Sequence, residues 1–179
     1  MLSKAAGAGY EVEGIEPSPL ADTVAAHTGL TVHCGTLQGA RSCLRLKEYG
    51  VITYFHVLEH VHDPVAELQT ARELLSTDGI LAVEVPFFDT LSWRIFGTRH
   101  RHVWQCHRSY FNVRSLSELF RRTGYKVLAW EKVPYMISLG WLLKRLGLGV
   151  LAKALPRRVA RAAMRIDLGD VLLMTAQRM

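Results

Sequence analysis

Apolar residues in this chain come in short β-branched runs separated by stretches of helical spacing, and that alternation predicts the order of elements. A helix end over 2–9 closes on Gly7 and Gly9, and a strand over 10–15 follows, ending in Glu16-Pro17-Ser18-Pro19. A helix over about 19–28 has Ser and Pro at its start and Gly29 just past its end. Strands are predicted over 30–34 and 51–56, while the polar stretch 36–48 stays ambiguous. Asp63-Pro64 marks an N-cap followed by proline at the first helical position, so a helix is expected over 64–76. Thr77-Asp78-Gly79 reads as a turn before a strand over 80–85 that Pro86 stops. Residues 87–112 form a long loop rich in aromatic, His and Arg residues, a length often associated with function. Ser115 and Glu118 resemble a capping box for a helix over 116–123. A strand over 125–131, a basic helical section over 137–166 and a closing strand over 170–176 complete the pattern. Strands alternating with helices predict an α/β domain with a mostly parallel sheet. No repeat or linker divides it, so residues 1–179 read as one domain.

Composition narrows the class. With 49% apolar and 21% charged residues the chain is neither disordered nor a disulfide scaffold. Cys34, Cys43 and Cys106 show no CxxC spacing, which points to a reducing, cytoplasmic compartment without a zinc ribbon. There is no secretory h-region at the N-terminus and no long uncharged apolar run. The net charge of +6 sits in one place: 137–179 holds eight of the 22 basic residues and only Asp167 and Asp170 of the 16 acidic ones. A neutral body argues against a nucleic-acid partner. Lys144, Arg145, Lys153, Arg157, Arg158, Arg161 and Arg165 accompany an apolar stripe through Trp141, Leu142, Leu143, Leu146, Leu148, Val150 and Leu151. Such a section either packs on the domain with a solvated basic face, covers a lipophilic acceptor or makes peripheral contact with anionic lipid.

Chemistry concentrates in three places. Glu16 is an acid at the C-terminal end of a strand, where ligands of open α/β sheets bind. The second is Tyr54-Phe55-His56-Val57-Leu58-Glu59-His60-Val61-His62-Asp63-Pro64. The third is the loop Arg99-His100-Arg101-His102 with Trp104, Cys106, His107, Arg108 and Tyr110. His56-Val57-Leu58-Glu59-His60 matches the H-x-x-E-H zinc-protease string, but a strand runs into His56 and the helix starts only after His60, so the ligands cannot share a helical face. His100, His102, Cys106 and His107 hold metal-ligand chemistry within eight residues, yet so short a stretch seldom surrounds one ion without a second chain segment. No metal is expected on either count.

The strings GIEPS, ITYFHVLEHVHDP, LLSTDGILAVEVP and SLSELFRRTGYKV, in that order, resemble class I S-adenosylmethionine-dependent methyltransferases, particularly the branch with ubiquinone-pathway O-methyltransferases. The resemblance runs from Leu2 to about residue 133 and resumes over 170–177. It implies a Rossmann-like sheet with an antiparallel last strand and S-adenosylmethionine as cofactor. The acceptor is a small molecule of open identity, and the oligomeric state is likewise open. By position, Glu16 falls at the family's ribose-binding acid. Thr36 and Leu37 fall where adenine is covered, and Phe55 and His56 where the chain passes the methionine part. Gly50 stands where the family usually has an Asp. In ubiquinone-pathway members a Glu–Val–x–Glu–His string supplies magnesium ligands; this chain keeps Glu59-His60 but leads with His56, which disfavours an oxygen-seeking ion. His107, with His60 beside the same acceptor pocket, is the candidate for taking a hydroxyl proton, and His102 is an alternative.

The resemblance begins inside the first helix, so the family's first, central strand and glycine-rich turn have no counterpart here. The expectation is therefore two orphaned strand edges, ending at Glu16 and His56, and weak cofactor binding by the 179-residue chain. Three functions compete: methyl transfer to a small molecule, a non-catalytic relic of such an enzyme, and a membrane-surface module acting through 137–166.

Overall fold

The computed structural model describes residues 2–46, 48–90, 93–94, 97, 102–140, 143, 147–160, 163–166 and 169–179. Helix α1 (Leu2–Gly7) leads to β1 (Glu13–Glu16), α2 (Ala21–Thr28) and β2 (Thr31–Cys34). A short α3 (Leu37–Ala40) fills the ambiguous stretch, followed by β3 (Tyr49–Phe55), α4 (Pro64–Leu74) and β4 (Leu75–Pro86). Then come α5 (Val113–Arg122), β5 (Tyr125–Lys132), β6 (Tyr135–Ser138), α6 (Gly149–Ala154), α7 (Arg157–Ala160), β7 (Ala163–Ile166) and β8 (Val171–Arg178).

The main sheet has the order β3-β4-β8-β5, with β3 parallel to β4 and β8 antiparallel to both its neighbours. The antiparallel last strand is thus present, inserted between β4 and β5. Its core face follows from strict alternation. Leu81, Val83 and Val85 of β4 sit opposite Ala176, Met174 and Leu172 of β8, and all six are fully buried. Leu68, Ala71 and Leu74 of α4 and Leu116, Leu119 and Phe120 of α5 join these residues in one cluster. Each Leu, Val, Met or Phe among them contributes about 1.5–3 kcal/mol by leaving water. Tyr125 Oη donates to the Leu68 carbonyl at 2.9 Å, and Arg72 donates to the carbonyls of Gly124 and Met179, so α4 is tied to the α5–β5 turn and the C-terminus.

β1 and β2 form a separate parallel pair, and neither strand has a fully buried residue. β1 does not pair with β3 among the described residues; the two are linked by side chains, Tyr49 Oη to Glu13 and Arg45 to Glu11.

Several boundaries differ from the sequence reading. Thr77-Asp78-Gly79 is no separate turn: β4 begins at Leu75, and its register against β3 shifts between Tyr49 and Val51. A Cβ on Gly79 would lie 2.8 Å from Leu75 Cδ2 and 3.0 Å from the Ser76 carbonyl oxygen, so the bulge needs glycine there. α5 starts three residues before the predicted helix, capped by Asn112, whose side chain accepts from Ser115 N–H while Ser115 Oγ accepts from Asn112 N–H. Glu118 pairs instead with Arg121 and Arg122.

The predicted helical section over 137–166 is corrected most. Its ends pair as antiparallel strands β6 and β7, while between them the described residues 139–140, 143, α6 and α7 are helical as expected. Val150 and Leu151 stand 83% and 55% exposed on α6. Trp141, Leu142, Lys144, Arg145, Leu146 and Arg161 lie outside the described residues, as do Arg99, His100 and Arg101. Among the described residues no helix is long and apolar enough to cross a membrane.

Candidate active site

His56, Glu59, His60, Pro86, His102, Trp104, Cys106 and His107 line a cavity of about 300 Å³. It lies at the C-terminal ends of β3 and β4, the edge at which open α/β sheets bind ligands. His56 ends β3 with φ +53°, a left-handed conformation that is unfavourable for a residue with a Cβ and is often held at functional sites. Its N–H donates to the Glu84 carbonyl at 2.9 Å, which continues the β3–β4 ladder by one residue. Leu58–His60 then makes a single 3₁₀ turn before Asp63 caps α4 by accepting from the N–H groups of Val65 and Ala66. One turn of 3₁₀ helix cannot present His56, Glu59 and His60 as a protease-type metal face.

The loop before α5 is fastened onto this turn by its backbone. The N–H groups of Arg108 and Ser109 both donate to the Glu59 carbonyl, at 2.8 and 3.1 Å. A parallel bridge between Phe87 and Phe111 anchors the loop's other end beside β4. His107 is thereby stacked edge-to-face on His60, with ring centroids 4.7 Å apart.

Electrostatics divide the histidines. His56 Nε2 lies 3.1 Å from Glu84 Oε1 and its Nδ1 3.5 Å from Glu59 Oε1. The carboxylates of Glu59 and Glu84, in that order, outweigh partial burial and raise the His56 pKa to about 9, so it is a cation at neutral pH. Burial lowers the His107 pKa below the ordinary value, which favours the neutral ring. His107 Nδ1 lies 2.9 Å from the His102 carbonyl oxygen and His60 Nδ1 lies 3.1 Å from the Cys106 carbonyl oxygen. A carbonyl only accepts, so each Nδ1 carries the proton and, in the neutral ring, leaves Nε2 with its lone pair.

The structure therefore brings His56, His60 and His107 into one cavity. Glu16, Thr36, Leu37 and Phe55 do not line it. Glu16 ends β1, half-buried, with Oε1 accepting from Ser18 N–H at 2.9 Å and Oε2 free of hydrogen bonds from the described residues. Thr36 is exposed and caps α3 by accepting from Gly39 N–H at 3.2 Å, whereas Leu37 is buried in the core cluster. Phe55 sits opposite Glu84 on the sheet face away from the helical core. Sequence reasoning missed Glu84, although a lone acid in an apolar strand run was a visible signal. The burial of Glu59 follows from loop contacts that no local pattern shows.

These features define a class I methyltransferase scaffold. Residues 1–129 match the family model described as a methyltransferase domain, and the chain belongs to that family. Membership implies use of S-adenosylmethionine. The chain is 36% identical over 91 residues to a ubiquinone biosynthesis O-methyltransferase of Haemophilus ducreyi, an alignment covering 45% of this chain and 39% of that protein. It thus spans about two fifths of the curated relatives it matches. A S-adenosylmethionine-dependent methyltransferase from Thermotoga maritima has the same fold, with a TM-score of 0.64 at 18% identity over 98% of this chain and 76% of that one. Another, the 1,6-didemethyltoxoflavin-N1-methyltransferase of Burkholderia thailandensis, solved with S-adenosylhomocysteine, gives 0.56 at 16% identity over 99% and 65%.

Proposed function

We propose that this chain takes part in methyl transfer from S-adenosylmethionine to a hydroxyl of a small molecule held in the histidine cavity. The observation that carries the reading is His107: its Nδ1–H is held by the His102 carbonyl and partial burial favours its neutral ring, so Nε2 is oriented as a proton acceptor inside the cavity. The cofactor supplies an electrophilic methyl on a sulfonium, and the protein's part is alignment and exclusion of water. Glu16 fits the ribose hydroxyls, because Oε2 is available while Oε1 is fixed by Ser18 N–H. Thr36, Leu37 and Phe55 are the further cofactor contacts that the family positions suggest. Trp104, 65% exposed at the cavity rim, offers an apolar face to an aromatic or lipophilic acceptor. His60, stacked on His107, orients that ring.

The test is transfer of isotopically labelled methyl to a panel of phenolic, catecholic and aliphatic hydroxyl acceptors. Label on oxygen that disappears in His107→Ala supports the reading, and label on nitrogen or carbon at an unchanged His107→Ala rate refutes it. A second reading rests on the exposed Val150 and Leu151 beside Lys153, which suit contact with an anionic lipid surface. Loss of co-sedimentation with anionic vesicles in a Val150→Glu, Leu151→Glu variant is its test.

A further inference from the structure

We infer that His60, Cys106 and His107 form a binding site for a divalent transition-metal ion of the zinc or cobalt class. One ligand atom from each of the three lies within 4.8 Å of the others. The loop residues alone lacked a second chain segment, and the fold supplies it: His60 comes from the turn after β3 and is 46 positions before Cys106. Tetrahedral zinc bonds are about 2.0 Å to nitrogen and 2.3 Å to sulfur, so an ion draws the three ligand atoms about 1 Å closer together, and the exposed Cys106 side chain can turn toward it.

Two features point to a cation beyond the cluster itself. Both histidines donate Nδ1–H to backbone carbonyls, those of Cys106 and His102, the outer-shell arrangement that fixes a ligating imidazole with Nε2 toward the ion. The Glu59 carboxylate lines the same cavity at 1% exposure, and apart from the His56 ring 3.5 Å from Oε1 neither oxygen has a hydrogen-bond partner among the described residues. Its Oε1 stands 3.9 Å from His60 Nε2. A buried carboxylate costs several kcal/mol unless positive charge sits near it; His56 supplies one such charge and an ion on His60 adds a second. One thiolate with two imidazoles selects zinc or cobalt over magnesium and leaves a fourth position open to water or an acceptor oxygen. On binding, Cys106 releases its thiol proton to solvent. The site does not depend on the methyl-transfer reading. If both hold, the ion and a proton compete for the same His107 lone pair.

The metal-stripped 179-residue chain titrated with Co²⁺ tests the site. We expect one equivalent to bind, with a tetrahedral visible spectrum and a thiolate-to-cobalt charge-transfer band that Zn²⁺ displaces. Cys106→Ser should abolish that band and His60→Gln should weaken binding at least about tenfold, while Cys34→Ser with Cys43→Ser should change neither. In the unmodified protein, Zn²⁺ should slow alkylation of Cys106 but not of Cys34 or Cys43, a readout that needs no variant to fold. A band that survives Cys106→Ser, unchanged affinity in His60→Gln, or Zn²⁺-insensitive alkylation of Cys106 overturns the proposal.

Discussion

The two ends of this molecule are built to different standards. Over 81–85 of β4 and 172–176 of β8 every second side chain is fully buried, and the ladder Leu81–Ala176, Val83–Met174, Val85–Leu172 is backed by α4 and α5. In β1 and β2 no residue is fully buried, and the pair meets the rest of the fold through side chains, Glu13 to Tyr49 Oη and Ile15 against the core cluster, with no backbone ladder to β3. The histidine cavity is fixed to the well-packed end, whereas Glu16, the proposed ribose acid, stands on the thin one. Positioning of the acceptor is therefore expected to survive perturbations that disturb the cofactor side.

The largest expected effects break the packed end. Phe120→Ala should cost about 3–5 kcal/mol by leaving a cavity under the sheet, while Ile15→Ala, in the half-buried β1, should cost about 1 kcal/mol or less. Urea unfolding followed by far-ultraviolet circular dichroism measures both, and equal losses would erase the distinction. Next, His107→Ala should lower turnover on a hydroxyl acceptor about a hundredfold, near 2.7 kcal/mol of barrier, with cofactor affinity retained. Conversely, Glu16→Ala should weaken cofactor binding by about 1–3 kcal/mol in calorimetry and spare the intrinsic acceptor step.

A pH dependence is expected as well. The folded-state pKa of His56 is raised to about 9, above an unfolded value near 6.5, so its stabilisation is fully present below about pH 6.5 and is lost as pH rises through about 9. Because the side chain is 33% exposed, solvent screening limits this to about 1–2 kcal/mol. The urea midpoint should fall between pH 6.5 and 9.5 in the unmodified chain, and the fall should flatten in His56→Gln.

How much of this was legible depends on whether a signal was local. The alternating run 80–85, the Asp63-Pro64 start of α4 and the Gly29 stop of α2 were all readable, because strand periodicity and capping act within a few residues. Gly29 indeed adopts φ +69°. The bulge at Gly79 was not readable, since it exists only through the register with β3. Nor was the pairing of β6 with β7, which joins two short segments across the helical stretch between them. At the site, His56, His60 and His107 could be singled out by residue type and by the resemblance. Their convergence could not, because it depends on two loop N–H groups clasping the Glu59 carbonyl across about fifty residues. The same long-range contact buries Glu59 and gives Cys106 its partner.

Hydrogen exchange measured by mass spectrometry, with and without excess S-adenosylhomocysteine, tests the two-ended account most directly. The account predicts slow exchange in β4 and β8, fast exchange in 13–16 and 31–34, and new protection at 14–18 and 34–37 when the nucleoside is added. Equal protection of both ends in the free chain, or a cofactor footprint that avoids Glu16 and Thr36, would contradict it.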